Sequence, residues 1–258
     1  MSVLTVEVHG HVLHMGLNRA NKRNAFNLEL LQALAAAYTQ LEEDADLRCG
    51  LLFAHGDHFT AGLDLAEVGP AVSAGDPLFP PEHVDPINLT GRRRTKPVVA
   101  ALCGYCFTIG IELALACDVR VAAEGTRFKQ MEVQRGIMPF GGATLRFPKL
   151  LGWGDAMRWL LTGDEFGPEE ALRIGLVQEV APFAEHVDRA AWIAGRIAAQ
   201  APLAVQATRR SAERGVREGE AALLESMMDD ARGLMTSNDA HEGMMSFIER
   251  REAKFTGT

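Results

Sequence analysis

Pro97-Val98-Val99-Ala100-Ala101-Leu102-Cys103-Gly104-Tyr105-Cys106-Phe107-Thr108-Ile109-Gly110-Ile111-Glu112-Leu113-Ala114-Leu115-Ala116-Cys117-Asp118-Val119-Arg120-Val121-Ala122 is the stretch on which the reading of this chain turns. Its opening run is short, apolar and unbroken, which predicts a buried strand. Gly104 marks a turn, Gly110 to Cys117 predicts a short apolar helix, and Asp118 to Ala122 a further buried strand. A helix that starts straight after a turn leaves its first backbone amides unpaired, and those amides favour a developing negative charge. Glu112 falls in the first turn of that helix among Ile109, Ile111, Leu113 and Leu115. A glutamate there can be a catalytic group or simply a partner for the helix dipole, and the position alone leaves both open.

Working towards the N-terminus, Val3 to Val8 alternates, His9-Gly10 turns, and Val12 to Leu17 follows, which predicts a hairpin. Asn27 precedes Leu30, Leu31, Leu34, Tyr38 and Leu41, a side-chain cap before an apolar stripe, so a helix should run to about Asp44. Gly50 to Ala54 predicts a buried strand. In the segment Phe59 to Leu65, Gly62 permits a turn that would aim the Leu63 amide into a cavity instead of a ladder. Between residues 66 and 90 stand Gly69, Pro70, Gly75, Pro77, Pro80, Pro81 and Pro86, and that density of breakers predicts a long surface loop or mobile lid.

Towards the C-terminus, Glu132 lies in Phe128 to Pro139 between Met131 and Val133; standing alone, it reads equally as a surface residue or a partner of Arg135. From Gly141 the pattern turns helical. Asp155 should cap Ala156 to Leu161, Pro168 suits the first turn of Glu169 to Ile174, and Gly175 stops it. Residues 183 to 251 read as several helices carrying Trp192, Leu224, Met227, Met228, Met244, Met245, Phe247 and Ile248, an apolar set that must pack on its own core or on a neighbouring subunit.

With 258 residues, the chain can bury one large core. Its formal charge of −8, from 26 basic and 34 acidic residues, argues against a nucleic-acid partner but allows a small anionic ligand held by a few local cations and amides. No signal-like N-terminus and no membrane-length apolar run predict a cytoplasmic protein with no membrane partner. Four cysteines in a chain of this size are expected to be reduced. Cys103-x-x-Cys106 also fits a thiol-disulfide redox protein, a remote alternative. The His55-Gly56-Asp57-His58 turn lacks a third ligand and predicts no metal, and Gly152-Trp153-Gly154, with Met157 where a third glycine belongs, is a poor dinucleotide signature.

Taken together, Asn18-Arg19 with Lys22-Arg23-Asn24-Ala25-Phe26-Asn27, the Ala61-Gly62-Leu63-Asp64 turn, Gly104-Tyr105 through Glu112-Leu113-Ala114 with Cys117-Asp118, and Phe247 to Arg251 with Lys254-Phe255 resemble the enoyl-CoA hydratase/isomerase superfamily, the crotonases, over nearly the whole chain. The resemblance implies an α/β spiral of repeated β-β-α units over residues 1 to about 195, with a helical region, 196 to 258, that forms a homotrimer or a hexamer built as a dimer of trimers. It implies that the Leu63 and Ile109 amides form an oxyanion hole for an acyl-CoA thioester. Coenzyme A would lie along Lys22, Arg23, Ala25, Ala61, Gly62, Asp64 and Leu65, with Lys254 reaching over from a neighbouring subunit. Glu112 and Glu132 would be the acid/base pair that adds water across the 2,3 double bond of a trans-2-enoyl-CoA. A single glutamate at the Glu132 position would suit Δ3,Δ2-enoyl-CoA isomerisation, the close alternative. No cofactor is implied beyond the coenzyme A that the substrate carries. The chain departs from the family's glycine-rich second loop at Thr108-Ile109-Gly110, where a β-branched residue stiffens the loop, so altered acyl specificity or lower activity on short substrates is expected.

Overall fold

The alternation at the N-terminus folds as the hairpin it predicts: in the computed structural model, which describes residues 2–258, Leu4 pairs with Leu17 and His9 with Val12, around a Gly10 at φ 59°. The strands in chain order are β1 Leu4–His9, β2 Val12–Leu17, β3 Cys49–Ala54, β4 Val98–Leu102, β5 Tyr105–Phe107, β6 Val119–Ala123, β7 Arg127–Lys129, β8 Glu165–Phe166 and β9 Glu179–Ala181. Six form one sheet in the order β1-β2-β3-β4-β6-β9, antiparallel at the first pair and parallel thereafter. The other three form a small sheet, β5-β7-β8.

The unbroken apolar run of β4 has a simple cause. Val98, Ala100 and Leu102 face one core, shared with α1 (Leu28–Glu43) and α3 (Ile109–Ala116), while Val99 and Ala101 face a second, closed by Ala190, Ala194 and Ala198 of α7 (His186–Ala198). Parallel strands covered on both faces cannot alternate apolar with polar. Asn27 caps α1 as its position predicts, its side chain accepting from the Leu30 amide at 3.0 Å, and Leu30, Leu31, Leu34, Tyr38 and Leu41 are buried.

Three expectations need correction. Residues 66 to 90 are not all loop: α2 runs Leu65–Ala74, holds Pro70 in its interior and ends on Gly75 at φ 85°. Pro70 is the sixth residue of the helix and withholds one donor from the Ala66 carbonyl, while Ala66, Glu67, Ala71 and Ala74 supply the helix propensity that carries the segment past it. Asp155 caps nothing; α5 (Trp153–Thr162) begins two residues earlier, after Gly152. The turn expected after Cys103 contains a strand, β5, which pairs with β7 and is joined at the far edge by a single bridge from Thr60 to Cys106.

Beyond β7 come α4 Ala143–Leu151, α5, α6 Pro168–Arg173, α7, α8 Pro202–Glu218, α9 Glu220–Met235 and α10 Asn238–Glu249. α6 begins on Pro168 and is followed by Gly175 at φ 77°, as its sequence predicts. The expected division near residue 195 falls inside α7, which packs on the large sheet; α8 to α10 follow it. Among the described residues, no helix is long and apolar enough to cross a membrane.

Candidate active site

The site is built where the small sheet's edge meets the start of α3. Phe26 donates to the Gly62 carbonyl and accepts from the Asp64 amide, each at 2.8 Å. Leu63 sits between these two bonds in a parallel bridge, so its own N–H points away from Phe26. Gly62 makes this turn at φ 111°, and a Cβ there would run into the Thr108 side chain. The turn is held from below: Thr60 Oγ1 accepts from the Gly62 amide at 3.0 Å and donates to the Asn24 carbonyl at 2.7 Å. Across from it, Thr108 donates its amide to the Lys129 carbonyl at 2.9 Å, and its carbonyl accepts from Ile111 and Glu112 at 2.9 and 3.2 Å. Ile109 is therefore the first residue of α3, with its N–H among the unpaired donors of a helix start. Among the described residues, neither the Leu63 nor the Ile109 N–H has an acceptor.

A cavity of about 100 Å³ is lined by Leu63, Ile109, Glu112 and Glu132 together, with Ala61, Leu65, Thr108, Met131, Arg135, Ile137 and Phe140 as its walls. Glu112 is 3% exposed and Glu132 6%. Burial raises the Glu112 carboxyl above its ordinary range; the amides of Ala143 and Gly141 and the charge of Arg146 pull against that. Both amides donate to the same oxygen, Oε1, at 2.7 Å from Gly141 and 3.1 Å from Ala143. Glu132 opens a single 3-10 turn, Glu132–Arg135, that ends on Gly136 at φ 74°. Burial pushes its carboxyl up to about 7, its own backbone amide opposes this and the charge of Glu112 adds to it. Gln130 donates to Glu132 Oε1 at 3.2 Å, while Oε2 is buried with no partner. Arg135 forms no ion pair with Glu132; it is simply another wall of the cavity.

Of the residues expected to hold coenzyme A, the structure brings Ala61, Gly62, Asp64 and Leu65 together in one turn, with Arg23 beside them through the Ala61 amide, which donates to the Arg23 carbonyl at 2.9 Å. Lys22 ends a 3-10 turn, Ala20–Lys22, and is exposed, while Arg23 lies over the Tyr105 ring at 5.6 Å. Asp64 is paired with Arg19 at 3.0 Å. Lys254 lies apart, in the C-terminal tail, where its amide donates to Glu242 at 2.7 Å.

Sequence reasoning missed Gln130, Gly141 and Ala143, which orient the two acids. The Gly141-Gly142 pair was the available signal: a Cβ on Gly141 would collide with the Glu112 carboxylate, so only glycine lets that backbone close on it. The cysteine pair is not a redox site. Cys103 and Cys106 are buried free thiols; burial pushes Cys103 up to about 12 and Cys106 well above the usual range, the reverse of an activated thiolate. His55 and His58 serve locally, His55 bonding Thr5 Oγ1 at 2.8 Å and His58 stacking on Tyr105 at 4.2 Å; among the described residues no cluster of three or more His, Cys, Asp or Glu could hold a metal. A larger cavity, about 900 Å³, opens at the other end of α3 against α8. Its carboxylates, Asp118 and Glu213, are both ion-paired, unlike Glu112 and Glu132 in the smaller one.

Two buried carboxylates thus share one cavity with two residues whose backbone N–H groups have no acceptor among the described residues. Residues 7–258 match the family model described as enoyl-CoA hydratase/isomerase, and the chain belongs to that family. It is 34% identical over 255 residues to an enoyl-CoA hydratase of Mycobacterium tuberculosis, covering 97% of this chain and 95% of that one. It is 35% identical over 249 residues to a crotonyl-CoA hydratase of Syntrophomonas wolfei, covering 93% and 92%. A crystal structure of a probable enoyl-CoA hydratase/isomerase from Mycobacterium abscessus superposes with a TM-score of 0.96 at 50% identity, over 99% of each chain. The fold is the crotonase fold, and the resemblance in the motifs extends to the whole backbone.

Proposed function

We propose that the protein hydrates trans-2-enoyl-CoA thioesters to 3-hydroxyacyl-CoA, with Glu112 and Glu132 as base and acid and the Leu63 and Ile109 amides as the oxyanion hole. The observation that carries this reading is the convergence of both acids and both amide-bearing residues on one cavity. With the thioester oxygen between the two N–H groups, attack at C3 moves charge onto an oxygen whose donors are already in place, each worth about 3 kcal/mol in the transition state. Glu112 is assigned the base because the two amides on Oε1 hydrogen-bond its charged form, the form that takes a proton from water. Glu132 is assigned the acid because its carboxyl, at about 7, holds a proton near neutrality and its Oε2 has no other partner. The hydroxide goes to C3, the Glu132 proton to C2, and a proton returns from Glu112 to reset the pair. Acid/base chemistry of this kind needs no cofactor beyond the coenzyme A of the substrate.

Lys22, Arg23, Ala25 and the 61 to 65 turn are assigned to coenzyme A, with Lys254 of a neighbouring subunit completing the site. The helical region from 196 to 258 is assigned to trimer contacts, since Met235, Phe247 and Ile248 expose 80%, 85% and 65% of their surface. The cytoplasm is the compartment this reading assumes. The test is turnover of crotonyl-CoA, longer trans-2-enoyl-CoAs and 3-enoyl-CoAs by the wild type, Glu112→Ala and Glu132→Ala. Loss of hydration in both variants is expected; undiminished hydration in both sinks the mechanism, and conversion of 3-enoyl-CoA without hydration makes the protein an isomerase.

A further inference from the structure

Thr108 occupies a backbone conformation that its side chain resists. It sits at φ 49° and ψ −112°, on the positive side of φ, where a β-branched residue is a genuine outlier and glycine is the natural occupant. The backbone around it is fixed at both ends, its amide on the Lys129 carbonyl at 2.9 Å and its carbonyl on the Ile111 and Glu112 amides at 2.9 and 3.2 Å. Strain of this kind persists only where the surroundings impose it, and at a site it is a reason to ask what the side chain does.

The hydroxyl is placed for a task. Thr108 lines the same cavity as Leu63, Ile109, Glu112 and Glu132. Its Oγ1 is the nearest atom to the position a Cβ on Gly62 would take, so it lies against the turn whose next residue is Leu63. Gly62 at φ 111° thus makes the room that the Thr108 side chain fills. Oγ1 itself has no hydrogen-bond partner among the described residues, although Thr60 and Thr126 both use theirs. A hydroxyl carries one rotatable donor and adapts to whatever acceptor arrives.

We propose that the Thr108 hydroxyl is a third donor to the thioester oxygen, beside the Leu63 and Ile109 N–H groups, so that this chain's oxyanion hole is built from two amides and one alcohol. The inference rests on the placing of the thioester oxygen under "Proposed function". It also gives the threonine a use that accounts for tolerating the strain.

The experiment compares Thr108→Ser, Thr108→Val and Thr108→Gly. Serine keeps the hydroxyl, valine keeps the shape without it, and glycine relieves the backbone while removing it. The expected result is a kcat within about threefold of wild type for serine and a loss of roughly 10- to 100-fold for valine and glycine, with KM less affected. The glycine variant should also melt higher than wild type, so its lost rate cannot be ascribed to misfolding. A second readout does not depend on turnover: the thioester carbonyl stretch of a bound, unreactive acyl-CoA should shift to lower frequency in wild type and serine, and less in valine and glycine. Valine with wild-type kcat and an unchanged carbonyl shift overturns the proposal, and so does serine as impaired as valine. A wild type that hydrates no enoyl-CoA brings down the hydratase reading instead, and the carbonyl shift still decides the contact: kept in serine and lost in valine upholds it, equal in all overturns it.

Discussion

The two ends of α3 each carry a carboxylate, Glu112 buried and Asp118 open to the larger cavity, and the two behave in opposite ways. Glu112 lies in the helix's first turn, where the dipole favours negative charge, yet its pKa is raised; Asp118 lies just past the last turn, where the dipole disfavours it, yet its pKa is lowered. Burial pushes both up. At Asp118 that push is overcome by the guanidinium groups of Arg94 at 2.8 Å and Arg209 at 3.0 Å and by the Val98 amide at 2.8 Å. At Glu112 no cation among the described residues forms an ion pair with the carboxylate, and Arg146 acts only through its charge. A full charge in contact outweighs half a helix charge, so the neighbours decide which acid is structural and which is free to move protons. The same contrast separates the carboxylates of the two cavities: Asp118 and Glu213 in the larger are ion-paired, and among the described residues Glu112 and Glu132 in the smaller are not.

The largest effects should split along this line. Glu112→Gln and Glu132→Gln are each expected to lower kcat by about 10²- to 10⁴-fold while leaving the fold intact, because each removes a proton carrier and no ion pair. Asp118→Asn should do the converse. It leaves Arg94, whose side chain is 1% exposed, charged and deprived of its counter-ion, at a cost of roughly 3–5 kcal/mol in urea titration, with turnover per folded molecule near wild type. A collapse of kcat in Asp118→Asn without loss of stability would erase the distinction between the two ends.

The next effect is one of pH. A carboxyl raised from 4.5 to about 7 by burial makes the folded state bind a proton that the unfolded state has released. The stability it contributes is fully present below pH 4.5 and is lost as pH rises through about 7. Glu132→Gln should therefore match the wild type at low pH and exceed it by roughly 2–3 kcal/mol at pH 8, read from denaturant curves across pH. On the proposed mechanism the kcat of the wild type should fall as pH rises through about 7, since the proton lost there would be the one delivered to C2. Equal pH slopes of stability for the two proteins would show that Glu132 titrates normally.

How much of this was legible beforehand follows from the range of the forces involved. The hairpin, the capped α1, β4 and α3 are local: each is decided by alternation, a cap or an apolar run within its own segment, and each stands where its residues place it. The cavity's four principal residues were legible through glycine-marked turns and their resemblance to a family. The groups that tune them were not. Gly141 and Ala143 reach Glu112 across 29 and 31 positions, and Arg94 and Arg209 meet Asp118 across 24 and 91, contacts that no local pattern encodes. α2 was hidden for a different reason, since Pro70 signals a break, yet this helix carries one missing donor in its interior.

Within the structural end itself, the two arginines on Asp118 offer the finest test. Arg94 donates to the carbonyls of Lys96 and Ala116 as well as to Asp118 and sits in the core, whereas Arg209 reaches in from α8 with its side chain 13% exposed and also holds Glu213 at 3.1 Å. Ion pairs that face water contribute little, because solvent screens them and ordering long side chains costs entropy. Arg209→Gln is accordingly expected to cost about 1 kcal/mol, less at high salt, and to loosen α8 against the body, seen as faster amide exchange over residues 202 to 218 with β4 and α3 unaffected. A cost as large as that of Asp118→Asn would mean that α8 belongs to the core as fully as Arg94 does.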